Sequence, residues 1–161
     1  MLRRLPRRSN VHRYPLIKYF GPYAKKTPEI WSWKRPQVVR SYYVGWIITL
    51  LPAGGIQILL AVMLAIAFKA NVPVAAGLQF VSNPLTAAPI LFSTYHIGKG
   101  SLGIFGVAPT GMAAGIAVNL VIGAILGGLL CAAICHFAHT VIAGRAKARA
   151  AAAANQGQIT S

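Results

Sequence analysis

Acidic side chains are almost missing from this chain. It holds no aspartate and one glutamate, Glu29, in 161 residues. With no carboxylate pair, glycosidase-type acid–base chemistry and carboxylate-held metal sites are excluded. A Ser-His-Asp triad is excluded because there is no Asp. No acid stands inside an apolar span, where a proton pump or coupled transporter keeps one. No P-loop occurs, and no dinucleotide-binding fingerprint is expected. Cysteine is also scarce: Cys131 and Cys135 lie one helical turn apart, a spacing too wide for an unstrained disulfide. They read as small buried apolar groups. These absences leave no catalytic residue, no cofactor and no metal to assign, so a non-enzyme is expected.

What is abundant is apolar chain and positive charge. Hydrophobic residues make up 56% of the sequence, and the mean hydropathy is +0.59. That composition belongs to the membrane class. Sixteen Lys and Arg give a formal net charge of +15. Eleven of them lie in residues 1–40, and Arg145, Lys147 and Arg149 follow the last apolar segment. Only Lys69 and Lys99 stand between. Bases that flank apolar spans follow the positive-inside pattern and favour anionic lipid headgroups. The expected partners are therefore membrane lipids, not nucleic acid.

Three regions are expected. Residues 1–37 form a basic, aromatic arm at the membrane interface, with Tyr14, Tyr19, Phe20, Tyr23, Trp31 and Trp33 among Lys18, Lys25 and Lys26. Its Arg-rich composition overlaps with that of organellar transit peptides. Residues 38–143 form the membrane domain, and residues 144–161 a basic, Ala-rich tail.

Inside the membrane domain the apolar run is interrupted at regular points. Pieces 38–51 and 56–69 are parted by Pro52, Gly54 and Gly55, and each is shorter than the ~20 residues a crossing needs. They form one broken span or a re-entrant hairpin; the even-crossing topology below takes the broken span. Asn71 and Pro73 open a further helix. Pieces 74–82 and 85–98 meet at Asn83-Pro84, with Pro89 as a further break and Asn83 as a natural N-cap. Residues 101–110 read as a loop. Residues 111–142 form one uninterrupted helix in which Gly111, Gly115, Asn119, Gly123, Gly127, Cys131, Cys135 and His139 recur every four residues. Small residues at that spacing let a second helix approach closely, and Asn119 would be the polar tie. The fold class is thus an all-α integral membrane protein: broken or re-entrant short helices plus one long glycine-striped helix.

Broken spans need their freed backbone groups satisfied by protein or by a watery cavity. Gln57, Asn71, Asn83 and Thr86 are the candidates for a polar site at membrane depth. The alternative for Gln57 is local pairing of the break. Cys131, Cys135, His136 and His139 share part of the long helix and could ligate a metal or a haem, as His96 could a haem or pigment, but their spacing lacks the second ligand pair of a closed metal site. His96 reads as an interfacial histidine.

At Pro52, Gly55 and Gln57, then Asn71 and Pro73, then Asn83, Pro84, Thr86 and Pro89, the chain resembles a bacterial membrane family known as domain of unknown function 2062. Trp33 and Arg35 precede the pattern, and Tyr95 and Gly98 close it. The likeness covers roughly residues 30–142. Gln79-Phe80-Val81-Ser82 departs from it, standing where a Trp is common. The resemblance implies an integral membrane fold of broken helices, no established activity and no catalytic residue.

The function expected is an accessory or assembly subunit of a larger membrane complex, with other membrane proteins as partners. The alternative is a small transporter or lipid-handling protein. The location expected is a multi-pass position in the bacterial inner membrane, or else in an organellar one. Both termini are placed in the cytoplasm: 38–69 crosses once, 74–98 dips in and out, and 111–142 returns; a hairpin at 38–69 would instead move the C-terminus to the far side.

Overall fold

A computed structural model describes residues 27–107, 109 and 111–159. Most of the expected interfacial arm, residues 1–26, lies outside them. The described residues are mostly helical and contain no strand. Five α-helices follow one another: α1 (Arg35–Leu50), α2 (Gln57–Ala67), α3 (Val72–Leu78), α4 (Pro84–Ile104) and α5 (Met112–Ile159). Short 3₁₀ turns at Pro28–Trp31, Gly54–Ile56 and Gln79–Val81 complete the chain.

The α1–α2 break follows from local chemistry. Leu51 precedes Pro52 and is extended, as the proline ring demands. Gly54 then takes a left-handed φ of 53°, open to it because it has no Cβ. The chain turns back on itself here. At the break Gln57 donates its side-chain amide to the Thr49 carbonyl at 3.0 Å. At the far end of α2 the Asn71 N–H reaches the Gln37 carbonyl at 3.1 Å and the Ser41 hydroxyl at 2.8 Å. The start of α2 thus meets the end of α1, and its end meets the start. Residues 38–69 are an antiparallel hairpin, which corrects the expectation of one broken span. Each limb is too short to cross alone, and folding back lets the pair bury their facing sides.

The return is tied by a Schellman motif. Ala70 N–H bonds Ala65 C=O at 2.8 Å and Lys69 N–H bonds Ile66 C=O at 3.2 Å. Lys69 occupies the left-handed position usually held by glycine, at φ 50°. α3 then runs alongside α1 in the same direction, because the Leu78 carbonyl accepts from Thr49 Oγ1 at 3.2 Å near the α1 end. Ile30 and Trp31 pack with Val62, Ala65, Ala70, Val72 and Ala75 into one buried cluster. Trp31 is thus a core residue, not part of an interfacial belt, whereas Trp33 is exposed.

α3 and α4 meet at an angle of 89°. Asn83 caps α4 by accepting from Leu85 and Thr86 N–H at 2.9 and 3.0 Å, and Thr86 Oγ1 accepts from the Asn83 N–H at 3.0 Å. This is a capping box with threonine in the place usually taken by Glu or Gln. Pro89 does not break the helix: it lies inside α4. Only one carbonyl, Leu85 in the exposed first turn, loses its helical partner. α4 also consumes the first residues of the expected loop. It ends at Ile104 in a second Schellman motif, with Gly106 left-handed at φ 65°.

α5 is 48 residues long, about 72 Å. It takes in most of the expected tail. Its early turns, at Asn119 and Gly123, pack against α4, and its middle, from Gly127 to Thr140, packs against α1. It is long and apolar enough to cross a membrane, and α3 with α4 passes the same test as a bent pair.

Candidate functional site

Four groups of contacts hold the helices together and place the candidate residues. The first is the polar set between α1, α2 and α3. Asn71 is fully buried. Its Nδ2 donates to the Ser32 carbonyl at 3.0 Å, and its Oδ1 accepts from Val74 N–H at 3.0 Å. Gln79 is also buried and donates to the Gly45 and Ala75 carbonyls at 3.2 and 2.8 Å. Thr49 Oγ1 donates to Gly45 and Leu78 carbonyls. Sequence reasoning missed Ser41, Thr49 and Gln79. The signal was there for two of them: Ser41, Gly45 and Thr49 repeat every four residues, a small-residue face on α1 like the one sought only on α5.

The second is a zipper between α1 and α5. Arg35 donates to Thr140 Oγ1 at 2.7 Å. The Tyr42 hydroxyl and His139 Nδ1 share a hydrogen bond of 3.1 Å. Tyr43 and His136 Nδ1 share one of 3.3 Å. Trp46 Nε1–H donates to Cys135 Sγ at 3.3 Å. The thiols of Cys131 and Cys135 are free. No group of three His, Cys, Asp or Glu side chains converges among the described residues. His96 sits apart on α4 against the rings of Phe92 and Tyr95, with centroids 4.3 and 5.4 Å away.

The third group joins α4 and α5 through glycine. A side chain on Gly98 would collide with the Asn119 carbonyl, and one on Gly123 with the Thr94 carbonyl. Gly128, one residue off the expected stripe, meets α1: a Cβ there would stand 2.7 Å from the Ile47 Cα. Gly127 faces Leu50 and Ile97 side chains. Gly111 precedes α5 with φ 87° and open space around it, and Gly115 has only Pro109 nearby. The close neighbours of the stripe are therefore helices of the same chain. Asn119 is 7% exposed, and its Oδ1 finds no hydrogen-bond partner among the described residues. It lines a cavity of about 460 Å³ with Tyr95 and Lys99.

The spacing Gly98-x-Gly100-x-x-Gly103 does match a dinucleotide-binding fingerprint, contrary to expectation. It lies wholly inside α4, with no strand before it, so it makes no phosphate-cradling turn.

The fourth group is electrostatic. The hairpin returns Lys69 to the end of the bundle that holds Lys34, Arg35 and Arg40. The antiparallel α1–α5 zipper brings Arg145, Lys147 and Arg149 toward the same end. Lys99, on α4 beside Asn119, is the described base that stands away from it. Glu29 pairs with Lys69 at 3.6 Å, both exposed, an arrangement worth at most about 1 kcal/mol. At this end a groove of about 510 Å³ runs between α1 and α2. α1 supplies Arg40, Tyr43, Val44, Ile47 and Ile48, and α2 supplies Leu64 and Phe68.

The four expected polar residues do not gather into one site. Gln57 and Asn71 are buried at opposite ends of α2, and Asn83 and Thr86 cap α4 at an exposed corner. Pro52 and Gly54 stand at the first break, Gly55 within its 3₁₀ turn, and Pro84 opens α4.

No curated protein and no solved structure matches the chain. A family model described as an uncharacterized protein conserved in bacteria, DUF2062, matches residues 18–151. That match extends past the likeness seen in the sequence at both ends, and the chain belongs to this bacterial family.

Proposed function

We propose that the protein is a non-enzymatic, multi-pass membrane protein of the bacterial inner membrane that serves as an accessory or assembly subunit of a larger complex. The observation that carries the non-enzymatic, membrane part of this reading is how its buried polar groups are used. Gln57, Asn71, Gln79 and Thr49 each bond backbone of a neighbouring helix or turn. They act as ties between short helices, which is the task polar residues perform in a bilayer. The outward side chains support membrane residence. Phe80 and Leu85 at the α3–α4 corner are 74% and 86% exposed, and Phe92, two turns along α4, is 68% exposed, as large apolar side chains facing lipid would be. The clustering of bases at one end supports a cytoplasmic position for that end. Because the hairpin returns to that end, 38–69 no longer supplies a crossing; the descent is assigned instead to α3 and α4, in place of the expected re-entrant dip at 74–98, and α5 makes the return. Both ends of the described chain then lie on the cytoplasmic side.

Purification of the full chain from its native membrane in mild detergent, followed by native mass spectrometry, tests the subunit role. A stoichiometric membrane-protein partner is the expected result. A chain that migrates alone refutes it.

The cavity beside Asn119 favours a second reading, a small transporter or lipid-handling protein. Its polar site would then be Tyr95, Lys99 and Asn119, between α4 and α5. Under that reading Asn119→Ala and Lys99→Gln abolish transport in folded protein.

A further inference from the structure

We propose that the groove between α1 and α2 binds one anionic phospholipid, with its phosphate at Arg40 and an acyl chain running along α1. The inference rests on the membrane reading given above. Arg40 is exposed at the groove's basic end. The single acidic side chain of the protein, Glu29, is engaged with Lys69. The counter-charge for Arg40 must come from outside the chain's side chains.

Beneath Arg40 the wall is apolar in a directed way. Residues 40, 43, 44, 47 and 48 recur at helical spacing, so they form one face about 12 Å long. On the opposing wall the antiparallel course of α2 sets Phe68 near the Arg40 end and Leu64 one turn deeper. Lys69, which follows Phe68, is already paired with Glu29, so Arg40 is the cation the groove itself presents. The remaining polar lining group, the Tyr43 hydroxyl, is engaged with His136. A cation at one end and hydrocarbon beneath it complement a phosphate diester with a fatty chain. A small soluble anion has nothing to fill the apolar part. A zwitterionic lipid brings its own ammonium to a site that is already cationic, so an anionic headgroup is favoured. The volume, about 510 Å³, lies in the range of ligand sites.

The test is native mass spectrometry of the full chain in mild detergent with equimolar phosphatidylglycerol and phosphatidylcholine. The wild type is expected to retain one phosphatidylglycerol in preference. Arg40→Gln is expected to lower that preference about five-fold, the worth of one base near a headgroup. Arg145→Gln, on α5, should leave it unchanged. Val44→Trp fills the groove and should lower retention of both lipids with Arg40 intact. Circular dichroism checks each variant's fold, and Leu64→Phe replaces Val44→Trp if the latter unfolds. Equal retention of the two lipids by the wild type overturns the site. So does an equal loss in the Arg40 and Arg145 variants, which would mark general attraction. A chain that stays soluble without detergent overturns the membrane reading instead. A chain that partitions into membranes without lipid preference overturns the site alone.

Discussion

The backbone carbonyl of Thr94 occupies the space where a side chain on Gly123 would begin. Gly98 stands in the same relation to the Asn119 carbonyl, so α4 and α5 touch main chain to main chain. Such closeness is reached because each helix sets a residue without a Cβ, Gly98 on α4 and Gly123 on α5, against the other's backbone. Gly123→Ala and Gly98→Ala should each destabilise the fold by about 1–3 kcal/mol, because backbone must move to admit the methyl. Gly100→Ala, in the same helix but facing open space, should be neutral or slightly stabilising. Thermal unfolding in detergent compares the three, and an intact Gly123→Ala protein would count against the close approach.

Asn71 should be the costliest of the buried polar residues to replace. Asn71→Ala leaves the Val74 N–H and the Ser32 carbonyl without their partners. An unpaired buried group costs about 1–3 kcal/mol. Thr86→Ala removes a capping interaction at an exposed corner and should cost about 1 kcal/mol. Denaturation midpoints of the two variants give the order.

Lys69 holds a left-handed conformation that glycine adopts freely. Lys69→Gly should therefore raise stability by about 1 kcal/mol. The exposed pair with Glu29 that it gives up is worth no more than that. The measurement is the same unfolding midpoint, and a clear loss would mean that the ion pair outweighs the backbone strain.

Orientation can be read by labelling. In a variant with Cys131 and Cys135 replaced by Ala, Ala148→Cys lies at the basic end, and Val107→Cys lies between α4 and α5. An impermeant thiol reagent on intact cells should label position 107 and spare position 148. The reverse pattern would refute a cytoplasmic basic end.

Much of the element order was legible in the sequence, because proline, glycine and asparagine act locally. Pro52, Gly54 and the Asn83-Pro84 pair impose their breaks through their own backbone limits. Pro89 misled because ring sterics remove one bond, and a helix with a strong cap survives that loss. The direction of α2 was illegible for a different reason. Piece 56–69 is apolar over most of its surface, and the Ser41-Gly45-Thr49 face of piece 38–51 marks a close contact without saying which segment makes it. Only the meeting of Asn71 with Gln37 and Ser41 reveals the reversal. The α1–α5 pairs were hidden likewise: Tyr42, Tyr43 and Trp46 gave no hint that His139, His136 and Cys135 were their partners.

The zipper also sets a schedule for biosynthesis. Arg35 and Thr140 are 105 residues apart in the chain. At a translation rate of roughly 5–20 residues per second, α1 waits on the order of 5–20 s for its partner to be made. The α1–α2 hairpin and the turn at Asn71 need only nearby residues and can close during that wait. Tyr42, Tyr43 and Trp46 stay unmatched until α5 has left the ribosome. Chains that stall before about residue 135 should therefore carry a formed hairpin with an open aromatic flank, the species on which a quality-control protease would act.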